Sequence, residues 1–191
     1  DESESRGLGD VYKRQRYRAA ALRVIYHRHE EVTGATEIIK RAINDKNGRV
    51  RLWAVSCLAQ MPDPDSVPTA LQALDHPVDK TMDFALWSIV REHQAHWAPR
   101  FEAGKPVFGD KLPRLIFAMK ALGKPLSLES IFTSVENGSL TPTERKDAIS
   151  VISQVGSPGD LSRLLKLAPK EPAILEQLVT AAQIRKLQPN S

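Results

Sequence analysis

The sequence predicts an all-α fold, a right-handed solenoid of about five stacked helical pairs. Three observations predict it. From Arg16 onward, apolar residues recur three and four positions apart, which gathers them on one face of a helix. Strand-like alternation of useful length and hairpin turn signals are absent. Finally, three segments align with one another. Ala21-Leu22-Arg23-Val24-Ile25 lies over Ala54-Val55-Ser56-Cys57-Leu58, and that over Ala85-Leu86-Trp87-Ser88-Ile89, at offsets of 33 and 31 residues. An offset of that size is one helical pair, and such pairs stack into a solenoid.

Each element has a local reason. In the first helix Ala20, Val24 and His27 share a stripe with Ala21 and Ile25. Ala35 to Ile43 follows, with Ile38, Ile39, Ala42 and Ile43 together. Asn44-Asp45-Lys46-Asn47-Gly48 stops it, because Asn and Gly accept the left-handed conformation at a helix end. Val50 to Met61 is the next helix, and Pro62-Asp63-Pro64-Asp65 breaks it. Ser66 to Leu74 is predicted as a short helix, His76-Pro77 as a turn and Asp79 to His96 as one long helix. Asp79 is the expected N-cap, and Asp83 sits in the first turn where carboxylates suit the helix dipole.

Residues 99–113 hold Pro99, Gly104, Pro106, Gly109 and Pro113, so an irregular loop is expected there. Helices resume over Arg114 to Leu122 and Leu128 to Val135, with Asn137-Gly138 as a stop. Thr141-Pro142-Thr143-Glu144 combines a hydroxyl cap, an early proline and an acid, and predicts a start for a helix ending at Gly156. Pro158 to Leu167 and Glu171 to Leu187 complete the series. The domain reading is therefore helical repeats over 16–98, a loop over 99–113 and further repeats over 114–187.

Residues 1–15, DESESRGLGDVYKRQ, stand apart, with four acids, three bases and no apolar period. The string resembles translated adapter sequence found at the ends of metagenomic reads. It is expected to be disordered and to play no part in the fold, and the chain is then expected to be a fragment of a longer protein.

Composition excludes several classes. No run of 18 apolar residues exists, so no membrane-spanning helix is predicted. A single cysteine, Cys57, excludes an internal disulfide and a cysteine-based zinc site. Phosphate-binding glycine loops, dinucleotide fingerprints and a nucleophile elbow are missing. Residues 16–51 carry nine Lys+Arg against four Asp+Glu, whereas residues 52–191 carry fifteen of each. The whole-chain charge of +4 is thus a local property of the first repeats. It marks where an acidic partner would dock.

His93 and His96 are three apart on one helix, a spacing that can serve one metal, but no third ligand follows. His27 and His29 point to different faces, and His76 orders a turn before Pro77. Cys57 lies on an apolar stripe and reads as a small hydrophobe. Trp53, Trp87 and Trp97 read as packing residues between repeats, and Trp97, beside the odd loop, is the one to test for an exposed binding role. The candidate interaction surface is therefore Arg16, Arg23, Arg41, Arg49, Arg51, His93, His96 and Trp97. No catalytic, metal or cofactor-binding residue is expected. A nucleic-acid-binding role through the basic 16–51 region is the alternative.

The alternation of helices resembles HEAT-type repeats. The His76-Pro77-Val78-Asp79 turn, the helix bearing Asp83-Phe84-Ala85-Leu86-Trp87 and the loop from Trp97 through Gly104-Lys105-Pro106-Val107-Phe108-Gly109 resemble something narrower. They are similar to the helical-repeat region of PVC-type haem-binding proteins, also described as membrane-bound dehydrogenases. That resemblance implies a non-catalytic scaffold between a dehydrogenase-like domain and a c-type cytochrome domain of a bacterial periplasmic or envelope protein. It implies neighbouring domains as partners and a monomeric fragment. The c-type haem would belong to the parent protein, because Cys57 is followed by Leu58-Ala59-Gln60 and no C-x-x-C-H occurs.

Overall fold

A computed structural model describes residues 2–103, 105–109, 111–122, 128–167 and 172–185. The fold is an all-α helical repeat, with eleven α-helices and no strand among the described residues. The helices are α1 (Glu2–Arg28), α2 (Ala35–Ala42), α3 (Gly48–Ala59), α4 (Ser66–Ala70), α5 (Lys80–Glu92) and α6 (Gln94–Glu102). They continue as α7 (Leu112–Leu122), α8 (Glu129–Glu136), α9 (Pro142–Val155), α10 (Pro158–Leu165) and α11 (Pro172–Arg185). The chain forms two compact units, Asp1–Pro99 and Arg100–Ser191.

In the first unit α3 packs between α1 and α5, and α2 and α4 pack against α3 as a second row. The aligned repeat positions explain the order. Leu22, Val55 and Leu86 are buried, as are Ile25, Leu58 and Ile89, so each helix of the first row turns the same edge inward. Ile39, Ile43, Val67 and Leu71 complete the core from the second row. The turns supply the caps. The Asn47 side chain accepts from the Arg49 and Val50 amides, and Asp79 accepts from the Met82 amide at 2.8 Å.

The second unit repeats the plan. There α9 packs between α7 and α11, with α8 and α10 against it. The predicted start at Thr141 is a full capping box with Glu144, and Ser157 forms another with Asp160. Gly156 ends α9 where a β-carbon would lie 2.5 Å from the Ile152 carbonyl oxygen, so only glycine fits this sharp exit.

Four expectations are corrected. The leader is helical: α1 begins at Glu2, although residues 1–15 were expected to be disordered. Nucleation is the costly step in helix formation, and the proline-free leader simply extends the helix that packs on α3. The helix expected over Ser66 to Leu74 is α4 followed by a tighter 3-10 turn, Leu71–Asp75. The long helix expected over Asp79 to His96 is interrupted at His93, and α6 then runs on through Pro99 to Glu102. The 99–113 loop thereby contracts to residues 103–111, since α7 already starts at Leu112. Within it Val107 and Phe108 are buried, and the Phe108 ring lies 6.3 Å from that of Phe101. Gly104 falls outside the described residues.

Candidate interaction surface

Three of the eight candidate surface residues are buried. Arg51 is 5% exposed. Its guanidinium donates to the carbonyls of Asp45 at 2.8 Å, Lys46 at 3.2 Å and Pro77 at 2.8 Å. It therefore clasps the α2–α3 turn to the turn before α5 and is unavailable to a partner. His93 is also buried, and its Nε2 donates to the Ala59 carbonyl at 3.0 Å, tying α5 to the end of α3. Trp97 is fully buried, and its indole N–H donates to the Val90 carbonyl at 3.1 Å. The break at His93 leaves carbonyls at the end of α5 without a helical partner, and Trp97 folds back to satisfy one of them. These are corrections: each side chain serves packing between helices.

His96 stays exposed, with its ring 5.9 Å from that of His93. The His93 Nε2 is engaged by the Ala59 carbonyl, and its Nδ1 is buried without a hydrogen-bond partner. Among the described residues no group of three His, Cys, Asp or Glu is placed to hold a metal ion.

Cys57 lies within α3, where its thiol donates to the Leu22 carbonyl at 3.2 Å. Burial pushes the thiol pKa up to about 12, because an apolar surround disfavours the thiolate. A nucleophile needs the opposite shift. Alkylation by iodoacetamide at pH 8 is therefore expected to be at least about a hundredfold slower in the native protein than in urea. Equal rates would show that the thiol is not shielded.

The arginines that remain exposed converge. Arg16 and Arg23 on α1 and Arg49 on α3 line one groove of about 300 Å³ with Asn47 and Trp53. The Arg23 guanidinium stands 5.5 Å from the Trp53 ring centre. The Tyr26 ring makes a T-shaped contact with Trp53 at 6.0 Å, and the Tyr26 hydroxyl accepts from Gln60. Arg41 is elsewhere, on α2, where its Nε donates to the Glu37 carbonyl at 3.3 Å.

Sequence reasoning missed the continuation of this surface. Phe84 and Trp87 on α5 are 67% and 40% exposed. Arg91 lies over the Trp87 ring at 4.4 Å. The signal was present in the repeat register: offsets of 33 and 31 place Ala20, Trp53 and Phe84 at one repeat position and Arg23, Ser56 and Trp87 at another. Reading Trp87 as packing overlooked that its position follows the exposed Arg23.

In the second unit an ion-pair cluster ties α10 to α8. Arg163 of α10 donates to both carboxylates of α8, Glu129 at 2.7 Å and Glu136 at 2.8 Å, while stacking over the Phe132 ring at 4.3 Å. The Arg163 hydrogen bond holds Glu136 below the usual carboxylate range.

Residues 13–89, from α1 through most of α5, match the family description HEAT repeats. No curated protein and no solved structure matches the chain. The matched residues are those that form the α1, α3 and α5 row and its second-row helices.

Proposed function

We propose that the chain is a non-catalytic helical-repeat scaffold that binds protein, and that it is the repeat region of a larger haem-binding protein of dehydrogenase type. One observation carries the interaction reading: the exposed edge of α1, α3 and α5 carries a cation at one repeat position on every helix (Arg16, Arg49, Lys80) and aromatic rings at the neighbouring positions of α3 and α5 (Trp53, Phe84, Trp87). Buried Cys57, His93 and Arg51 are meanwhile used in packing. Repeat stacking produces extended surfaces of this kind. The parent protein, its c-type haem and its periplasmic or envelope location rest on the sequence resemblance over residues 76–109.

The end helices support a continuing array. Tyr17 and Val24 on α1 are 72% and 55% exposed, and Leu175 and Val179 on α11 are 45% and 54% exposed. Terminal repeats of complete arrays carry polar outer faces instead.

The test has two parts. An in-frame C-x-x-C-H downstream of residue 191 is expected, and a gene without one would overturn the parent assignment. The flanking domains, expressed separately, are expected to form a complex with this chain on size exclusion, with redox activity remaining in them. Failure of every flanking domain to bind would sink the scaffold reading.

A further inference from the structure

We infer that the exposed edge of α1, α3 and α5 binds an extended acidic protein segment. This deepens the interaction-module reading and rests on it. The surface follows from the repeat register. Positions one helical turn apart on α1 are Arg16, Ala20, Arg23 and His27. Their equivalents are Arg49, Trp53 and Ser56 on α3 with Gln60 at its C-cap, and Lys80, Phe84, Trp87 and Arg91 on α5. All twelve are exposed or half-buried. Five are Lys or Arg, three are aromatic and none is a carboxylate. Of the nearest acids on the same helices, Glu92 stands off the edge, while Asp83 is exposed one turn from both Lys80 and Trp87. A mainly cationic surface with apolar rings between the charges is complementary to a chain of opposite sign that also carries apolar side chains.

Two anionic polymers fit the charge, and the rings separate them. A single-stranded nucleic acid would gain most of its sequence-independent contact by stacking bases on open aromatic faces. Here Arg23 covers one face of Trp53 and Tyr26 makes a T-shaped contact with it, while Arg91 covers one face of Trp87. An exposed guanidinium such as that of Arg23 or Arg49 can take a carboxylate with two parallel hydrogen bonds. Phe84 then offers an apolar seat for a leucine or phenylalanine of the segment. The groove bordered by Arg16, Arg23, Arg49 and Trp53 provides an entry of about 300 Å³ at one end.

The experiment uses the full chain and three fluorescent probes: a twelve-residue peptide of alternating Glu and Leu, its Lys counterpart, and a fifteen-residue oligothymidylate. Anisotropy at low salt is expected to show saturable binding of the Glu peptide, weakened by added salt, and no binding of the Lys peptide. The double variant Arg23→Glu/Arg49→Glu is expected to lose at least about tenfold in affinity with an unchanged helical circular dichroism spectrum. Phe84→Ser is expected to weaken the Glu peptide and leave the salt dependence intact. Binding of oligothymidylate in preference to the Glu peptide would overturn the proposal in favour of nucleic acid. Glu-peptide binding that is indifferent to the charge reversal would overturn it as well. If the flanking domains still bind the charge-reversed variant while the Glu peptide binds neither protein, the acidic-segment assignment fails and the scaffold reading stands.

Discussion

Trp97→Ala is expected to lower the unfolding free energy by about 3–5 kcal/mol, the range for deleting a large buried aromatic ring. Trp97 has no exposed surface, and it closes the corner between α5 and α6 beside buried Ala98. The substitution removes the ring and also strands the Val90 carbonyl that the indole N–H satisfies at 3.1 Å. Trp97→Phe separates the two contributions: it keeps most of the ring and loses the donor, and about 1–2 kcal/mol is expected. Urea denaturation followed by circular dichroism gives both numbers. A loss below about 1 kcal/mol for Trp97→Ala would be typical of a surface substitution and would contradict the buried assignment.

Trp97 also shows where sequence reasoning reaches its limit. The helical class, the repeat offset and the caps at Asp79 and Thr141 are local in origin, set by apolar spacing and by residue types that satisfy helix ends. Those were legible. The break at His93 is not local. It depends on a carbonyl of α3, that of Ala59, receiving the His93 ring 34 residues on. Without that contact the stretch from Asp79 to His96 reads as unbroken helix, and Trp97, though a packing residue by type, falls beside a loop and joins the candidate surface. Arg51 fails for the same reason. A charged residue in a basic stretch reads as solvated, and only the fold brings the Pro77 carbonyl to its guanidinium. The groove at Arg16, Arg23 and Arg49 was half legible. Composition located the charge within residues 16–51, but only the packing of α1 on α3 sorts the exposed arginines from the clasping one.

Arg51→Ala is expected to cost about 2–4 kcal/mol, because it removes three charge-assisted hydrogen bonds from part-buried carbonyls together with a buried side chain. Arg51→Lys keeps the charge, but a single ammonium cannot reproduce a fork spread over two turns, so it is expected to recover less than half of the loss. Both are read from urea midpoints. Wild-type stability in Arg51→Ala would show that the clasp contributes nothing. The same corner has an acid signature. Burial pushes the Asp45 carboxyl up, but the Arg18 hydrogen bond at 2.7 Å and the Asn47 amide at 2.8 Å outweigh it and hold the pKa below its ordinary value. A carboxylate lowered in the folded state stabilises fully above its unfolded pKa of about 4, and that contribution is lost as the pH falls through the folded value. The stability gap between wild type and Asp45→Asn is therefore expected to be constant from about pH 7 to 5 and to narrow below about pH 4. A gap that widens on acidification would mean that the Asp45 carboxylate is not held in its charged form by Arg18 and the turn.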